Sequence, residues 1–463
     1  MSWGSGRGIE RGGVAVPMKR REFLKRIGVA SAALAGGPSL IQILEACGGG
    51  TPSQPSSEAS PNFAGGGTIH LLQWSSFVPT ADEKMRELLN RWAAKHTGWT
   101  ATLDTVQSTD IQPKTAAAVQ SQSGPDIIQM QYNWPWLYSG SCLDVGDLVD
   151  RLQKKYGNFN DTISSDCKVN GKWLAVPYNF TTNAWIYRTD LWSQVGKSDF
   201  VDSLDDMLTY GRMLKQKTGV SIGEALGHAV GDATTMWYGV LWNFGGKEVE
   251  KDGKTVAINS KETENAINWA IEMWRGALDQ SGLSWDDSSN NRAYAAKTLS
   301  ATQNGASIYL TATKKDPDLA KNSGIAKQPK GPKARTTIHL NMEHAVMKWT
   351  KNPGAAKDLI EFLMQKENYG EWMTAGGGYN SYPGPLMDNH PVWTADPKLK
   401  PFNDSVKLAR WPGWPGPPSK ASSAAQTKYV IVDMFATAVQ SGQVKQAVST
   451  AEQQLNSIYA RPA

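Results

Sequence analysis

The chain is poor in cysteine, with three in 463 residues, too few for a disulfide-framed fold. It also has little net charge once its first stretch is set aside. Residues 1–46 hold seven Lys/Arg and three Asp/Glu, so the formal charge of +5 falls to +1 over the remainder. A basic field for nucleic acid is therefore absent. A spanning helix needs about 20 apolar residues, and the best candidate run, residues 27–43, is too short and too rich in Gly and Ala. No Gly-x-Ser-x-Gly, Walker phosphate loop or His-Glu-x-x-His occurs, which removes the signatures of the commonest hydrolases, nucleotide binders and zinc proteases. His339 and His344 flank Asn341 and Glu343, but in a strand those two positions face opposite sides. Separate histidines are expected there, with no metal site and no cofactor. Tryptophan is what the chain has in excess, 19 residues.

The N-terminal segment reads as an export signal rather than as part of the fold. Lys19-Arg-Arg-Glu-Phe-Leu-Lys25 resembles the twin-arginine motif, with Lys19 in place of serine. The apolar run follows and ends in Leu44-Glu-Ala-Cys47-Gly48, which resembles a lipobox with an unusual Glu45. Residues 1–47 are thus expected to be a lipoprotein signal, with Cys47 as the lipidation site. Residues 48–67, rich in Gly, Ser and Pro, would be a flexible tether. The body would then sit at the outer face of a membrane, or in the periplasm, attached through the lipid alone. Outside the cytoplasm, the remaining Cys142 and Cys167 are either a disulfide or two buried thiols.

The rest reads as strands alternating with helices, the pattern of an α/β fold on a mainly parallel sheet. Thr68 to Leu72 is a strand. Thr80 and Glu83 form a capping-box pattern before a helix whose apolar face is Met85, Leu88, Leu89, Trp92 and Ala93. Further strands are expected from Trp99 and from Pro125. The stretch Gly171 to Trp192 organises the chain. Trp173 to Val176 and Ala184 to Tyr187 are two buried strands with no helix between them, joined by a Pro-led link. That arrangement reads as a passage from one lobe into another. Ile308 to Thr313 is expected to be a strand returning to the first lobe, and a third passage is expected near Trp372. The expected division is 68–178 with 306–368 for lobe 1, and 183–304 with 372–463 for lobe 2.

Several segments resemble the extracellular solute-binding proteins of bacterial sugar ABC importers. They are Gly124-Pro-Asp-Ile-Ile128, Gly140-x-x-Leu143, Val176-Pro177 followed by Ile186-Tyr-Arg-Thr-Asp-Leu191, Asn243-Phe-Gly-Gly246 with Asn259-Ser-Lys, and Pro353 to Leu363. Arg188 stands where that family usually has Asn. The resemblance implies a two-lobe periplasmic-binding-protein fold with discontinuous domains, a hinge, and a ligand in the inter-lobe cleft. It also implies a membrane permease as partner; a monomer is expected.

An indole buries the apolar C–H face of a sugar ring, while amides and hydroxyls meet its edge. Trp74 and Ser75 end one predicted strand; Asn133 and Trp134 follow another. By analogy with the family, ligand contacts are expected from these four and from Asn179, Thr181, Trp237, Thr313, Tyr379, Trp411 and Trp414. For any single tryptophan, ordinary packing is as plausible. Two other functions stay open: an extracytoplasmic carbohydrate-active enzyme, and a binder of another small solute such as a polyol or a glycerol phosphate.

Overall fold

The first strand, Gly67–Trp74, and the second, Trp99–Val106, lie side by side in parallel, with Gly67 opposite Trp99 and Trp74 opposite Val106. Helix Pro79–Lys95 makes the crossover between them. Met85, Leu88, Leu89 and Trp92 are its buried face, as the spacing predicts. Its start differs from expectation. Thr80 is already inside the helix, and its hydroxyl donates to the Ala375 carbonyl at 2.6 Å, so no capping box forms.

The coordinates are a computed structural model; it describes Phe63 and residues 65–460, except 182 and 339. The expected signal, Cys47 and nearly all of the expected tether lie outside the described residues, as do residue 182 of the organising stretch and the candidate metal ligand His339. The described residues belong to one body, Ala59–Ala463. No helix among them is long and apolar enough to cross a membrane.

Two sheets organise this body. The first has six strands in the order Asn380–Ser381, Val176–Thr181, Leu340–Val346, Ile127–Gln131, Gly67–Trp74, Trp99–Val106. The second has four: Ser323–Ala326, Ala184–Arg188, Leu299–Asn304, Ser221–Ile222. The passage exists, but its first strand lies later than expected: Trp173 to Val176 is not the strand, and Pro177 does not end it, because the stretch expected as a link, residues 177–181, is itself paired in the first sheet. Val176–Thr181 is an inner strand of the first sheet, and Ala184–Arg188, only a few residues on, is an inner strand of the second.

The return falls later than expected. Ile308 to Thr313 is not a strand but part of helix Ser307–Lys315, which packs beside helices Ser289–Ala295 and Pro317–Lys321. Strand Ser323–Ala326 then still pairs with Ala184–Arg188. The chain reaches the first sheet at Leu340–Val346, which inserts antiparallel between Val176–Thr181 and Ile127–Gln131. Residues 306–326 therefore stay with the second sheet. The third passage is also later. Glycines 377 and 378, at φ +59 and +80, turn the chain after helix Lys366–Ala375 so that Asn380–Ser381 pairs with Phe180 and Thr181 at the edge of the first sheet. The chain leaves that sheet only after Ser381.

Cys142 and Cys167 are free, buried thiols, not a disulfide. Cys142 donates to the Tyr138 carbonyl at 3.4 Å within its own turn, and burial pushes its thiol up to about 12. Cys167 ends helix Asp161–Cys167 and is also buried. His344 is stacked on the Tyr178 ring at 3.8 Å, and burial drives its imidazole down to about 3.

Candidate functional site

Three strands end at one place. Trp74 closes Gly67–Trp74, Thr181 closes Val176–Thr181, and Asn304 closes Leu299–Asn304. The first two strands belong to one sheet and the third to the other. Their carboxyl ends, where α/β sheets hold ligands, face a shared narrow cavity. Phe77, Tyr379 and Leu340 add apolar wall, and Asn183, Asp232, Thr235 and Asp287 add polar groups. The two sheets thus contribute opposite sides of one cleft.

One wall is aromatic. Trp74 meets Phe77 edge-on, with centroids 5.5 Å apart at 85°, and Phe77 meets Tyr379 at 6.4 Å. Gly305 sets how close Tyr379 comes. A Cβ at residue 305 would lie 2.7 Å from both Thr181 Cγ2 and Tyr379 Cε2. Gly305→Ala should therefore push the Tyr379 ring out of the wall. Loss of one ring contact is worth about 1 kcal/mol, so calorimetry should show ligand affinity falling several-fold. Unchanged affinity would remove Tyr379 from the site.

The other wall is acidic. Helix Asp232–Asn243 points its N-terminus at the cavity. Asp287 Oδ1 accepts from the backbone N–H of Gly231 at 2.9 Å and of Asp232 at 2.8 Å, so it caps that helix. The Oδ2 atoms of Asp232 and Asp287 are both buried, and neither makes a hydrogen bond of normal geometry, although the Asn290 amide lies near Asp232 and the Ser108 hydroxyl near Asp287. Burial raises both carboxyls above the usual range. Proximity to Asp287 adds to the rise at Asp232, and the two backbone donors moderate the rise at Asp287. Asn304 is fixed beside them: its amide donates to Asn290 at 3.1 Å and to Asn291 at 2.9 Å. Buried acceptors without donors are costly, and a polyhydroxylated guest supplies donors.

Across the cleft the two sides already touch. Tyr132 donates to the Val230 carbonyl at 2.9 Å, Asn133 to Ser422 at 2.8 Å, and Trp134 Nε1 to Gln426 at 3.0 Å. Asn133 and Trp134 are thus committed to lobe–lobe contact and do not line the cavity.

Of the residues singled out by sequence, the cavity collects Trp74, Thr181 and Tyr379. Ser75 follows the strand end, its N–H on the Val106 carbonyl, but does not line the cavity. Asn179 is buried within the first sheet. Trp237 is core: its indole donates to the Ala225 carbonyl at 2.8 Å, and its ring packs on Phe435. Its neighbour Tyr238 is turned to Glu248, so the pair's opposed directions do not bring either to the cleft. Thr313, on an exposed helix position, returns its hydroxyl to the Leu310 carbonyl. Trp411 donates to the Gly416 carbonyl at 2.7 Å, and Trp414 packs edge-on against Trp242. Asp232 and Asp287 were missed by sequence reading. The available signal for Asp232 was its place at the start of a helix; Asp287 carried none beyond an acidic turn.

No curated protein sequence matches the chain. Solved structures share its fold. The GacH receptor of Streptomyces glaucescens, solved unliganded and with acarbose, superposes with a TM-score of 0.73 at 16% identity, over 86% of this chain and 100% of that one. Maltose-bound MalE3 of T. maritima gives 0.73 at 17%, over 84% and 99%. A sugar transporter protein from Arthrobacter chlorophenolicus with bound laminaribiose gives 0.70 at 15%, over 86% and 100%. These likenesses fix a two-lobe periplasmic-binding-protein fold. The family description "bacterial extracellular solute-binding protein" matches residues 87–401, most of the described body, so the chain belongs to the bacterial extracellular solute-binding proteins.

Proposed function

We propose that this chain captures a sugar or oligosaccharide outside the cytoplasm and delivers it to the membrane permease of an ABC importer. One observation carries the choice of ligand class: the cavity sets an aromatic wall of Trp74, Phe77 and Tyr379 opposite two buried carboxyls whose Oδ2 atoms make no hydrogen bond of normal geometry. A pyranose has the matching halves, an apolar C–H face and a rim of hydroxyl donors. The acarbose, maltose and laminaribiose complexes among proteins of the same fold support that reading. A polyol offers hydroxyls without a broad apolar face, and a glycerol phosphate would set its anion against Asp232 and Asp287. Both fit this cavity less well than a neutral ring.

Capture works by closure. The cavity, walled from both sheets, has a volume of only about 20 Å³ as it stands, so it admits a guest only when the lobes part. A guest that bridges Trp74 and Tyr379 on one side with Asp287 on the other binds the closed arrangement better, and so shifts the population towards it. The permease would read the closed form. Cys47, acylated, would hold the body at the membrane through the intervening polar segment. In place of the division expected from sequence, the proposed lobe 1 is 68–181 with 340–381, and the proposed lobe 2 is 184–326 with the C-terminal helices.

The test is intrinsic fluorescence against a saccharide panel that includes maltose, laminaribiose and acarbose. A saturable change is expected with at least one member, and Trp74→Ala should abolish it. Silence across a broad panel, with a response to glycerol phosphate instead, would overturn the sugar assignment. Turnover of a chromogenic glycoside would favour an enzyme.

A further inference from the structure

Phe180 and Thr181 are neighbours at the end of one strand, so their side chains leave it on opposite faces. Thr181 faces the cleft cavity. Phe180 faces a second and larger one, of about 280 Å³, on the rear of the same passage between sheets. That volume stands just under the roughly 300–1,000 Å³ of ordinary drug-sized ligand sites, a size suited to a small solute. A much smaller cavity adjoins it, sharing Asn160, Phe180 and Val406.

The rear cavity has the same two chemical halves as the cleft. Phe180, Tyr382 and Trp393 supply rings, and Tyr382 is held by the Tyr369 ring at 4.8 Å. The Ser381 and Tyr382 hydroxyl oxygens are buried and have no hydrogen-bond partner. Both residues are more than nine-tenths buried. Its charges balance: Asp388 is opposed by Lys407, and Asp404 is paired with Lys400. Such a lining selects against ions. We propose that this rear cavity is a second binding site, for a neutral polyhydroxylated molecule of monosaccharide size.

Its position couples it to closure. Ser381 and Phe180 belong to the first sheet. The segment carrying Asp404 and Lys407 is tied to the other side: Lys398 donates to the Ala320 and Ser323 carbonyls at 2.8 Å each. A swing about the passages that parts the front cleft narrows the space behind them. A solute seated at the rear therefore opposes opening, and the two sites tighten each other's ligands reciprocally.

The test uses the protein labelled with 5-fluorotryptophan and followed by fluorine NMR. Trp74 reports the front and Trp393 the rear, each assigned by its Phe variant. The probes are glucose, galactose, myo-inositol and glycerol, raised to about 100 mM, well above the millimolar Kd of a weak site. At least one should shift the Trp393 signal saturably. Asp388→Asn, on the exposed rim, should weaken that response several-fold while leaving the response of Trp74 to its own ligand in place. A Trp393 signal unmoved by every probe would overturn the site. So would one that moves only in step with Trp74 and ignores Asp388→Asn, since it would then report front closure alone. A silent Trp74 beside a responding Trp393 would instead sink the front-cleft reading and spare this one.

Discussion

Asp287→Asn should abolish most of the solute affinity and leave the fold intact. The carboxylate holds the N-terminus of helix Asp232–Asn243 through Oδ1 and leaves Oδ2 for the guest. An asparagine can keep the first role, because its carbonyl oxygen still accepts from the Gly231 and Asp232 N–H groups. It loses the second in its present form: Nδ2 replaces the Oδ2 acceptor, and the guest hydroxyl keeps a bond there only by turning to accept from a neutral amide. Hydrogen bonds to a charged group are worth about 1.5–3 kcal/mol, so the Kd should rise roughly 10- to 150-fold. Titration calorimetry gives the affinity, and thermal unfolding without ligand gives the stability. Stability should hold or rise, since burial already opposes ionisation of this carboxyl. Unchanged affinity would show that Asp287 is only a helix cap.

The second large effect is on stability against pH. Away from the cleft, several carboxyls are sealed from water. Burial pushes Asp166 up to about 8 and Glu248 up to about 7, and raises Glu343 well above the usual range. Glu343 has no partner on either oxygen, while Glu248 accepts from Tyr459 at 2.6 Å and from Tyr238 at 3.3 Å. For each group the native state holds its proton to a higher pH than the unfolded chain does. Below about pH 4 both states are protonated and this stability is fully present. As pH rises from about 4 towards 8 the unfolded state loses its proton first, and the native state is progressively destabilised. The unfolding free energy should therefore be highest in mild acid and fall through this window, by an amount on the order of several kcal/mol in all, and the melting temperature should fall with it. Asp166→Asn removes one contributor and should flatten the profile. Its side chain still meets the Asn341 amide, which can turn to suit it. A melting temperature that climbs from pH 4 to 8 would contradict these assignments.

The first inter-sheet passage was legible in the sequence because its signal is local. Apolar runs at Trp173 to Val176 and Ala184 to Tyr187 leave no room for a crossover helix, although the strand itself proved to be Val176–Thr181, whose alternating Tyr178, Asn179, Phe180 and Thr181 hid it as a link. The return was not legible. Ile308 to Thr313 is a short mixed run of Ile, Tyr, Leu, Ala and Thr, and such a run fits strand or helix equally. What decides for helix is tertiary: the helix lies against Ser289–Ala295 and Pro317–Lys321. The aromatic half of the site was partly legible, since Trp74 and Tyr379 stand at a strand end and in a Gly-rich turn. Trp411 and Trp414 had the same composition signal, yet one bonds its own loop and the other packs on Trp242. The acidic half was invisible. Asp232 and Asp287 are two of 43 acidic residues, and burial singles them out only once the chain is folded.

The most direct measurement is a crystal structure with a saccharide from the responding panel bound. The account predicts a ring against Trp74 and Tyr379, with hydroxyls about 3 Å from Oδ2 of Asp232 and Asp287. A saccharide stacked instead on Trp411 or Trp414, or bound to one sheet's side of the molecule without touching the other, would contradict it.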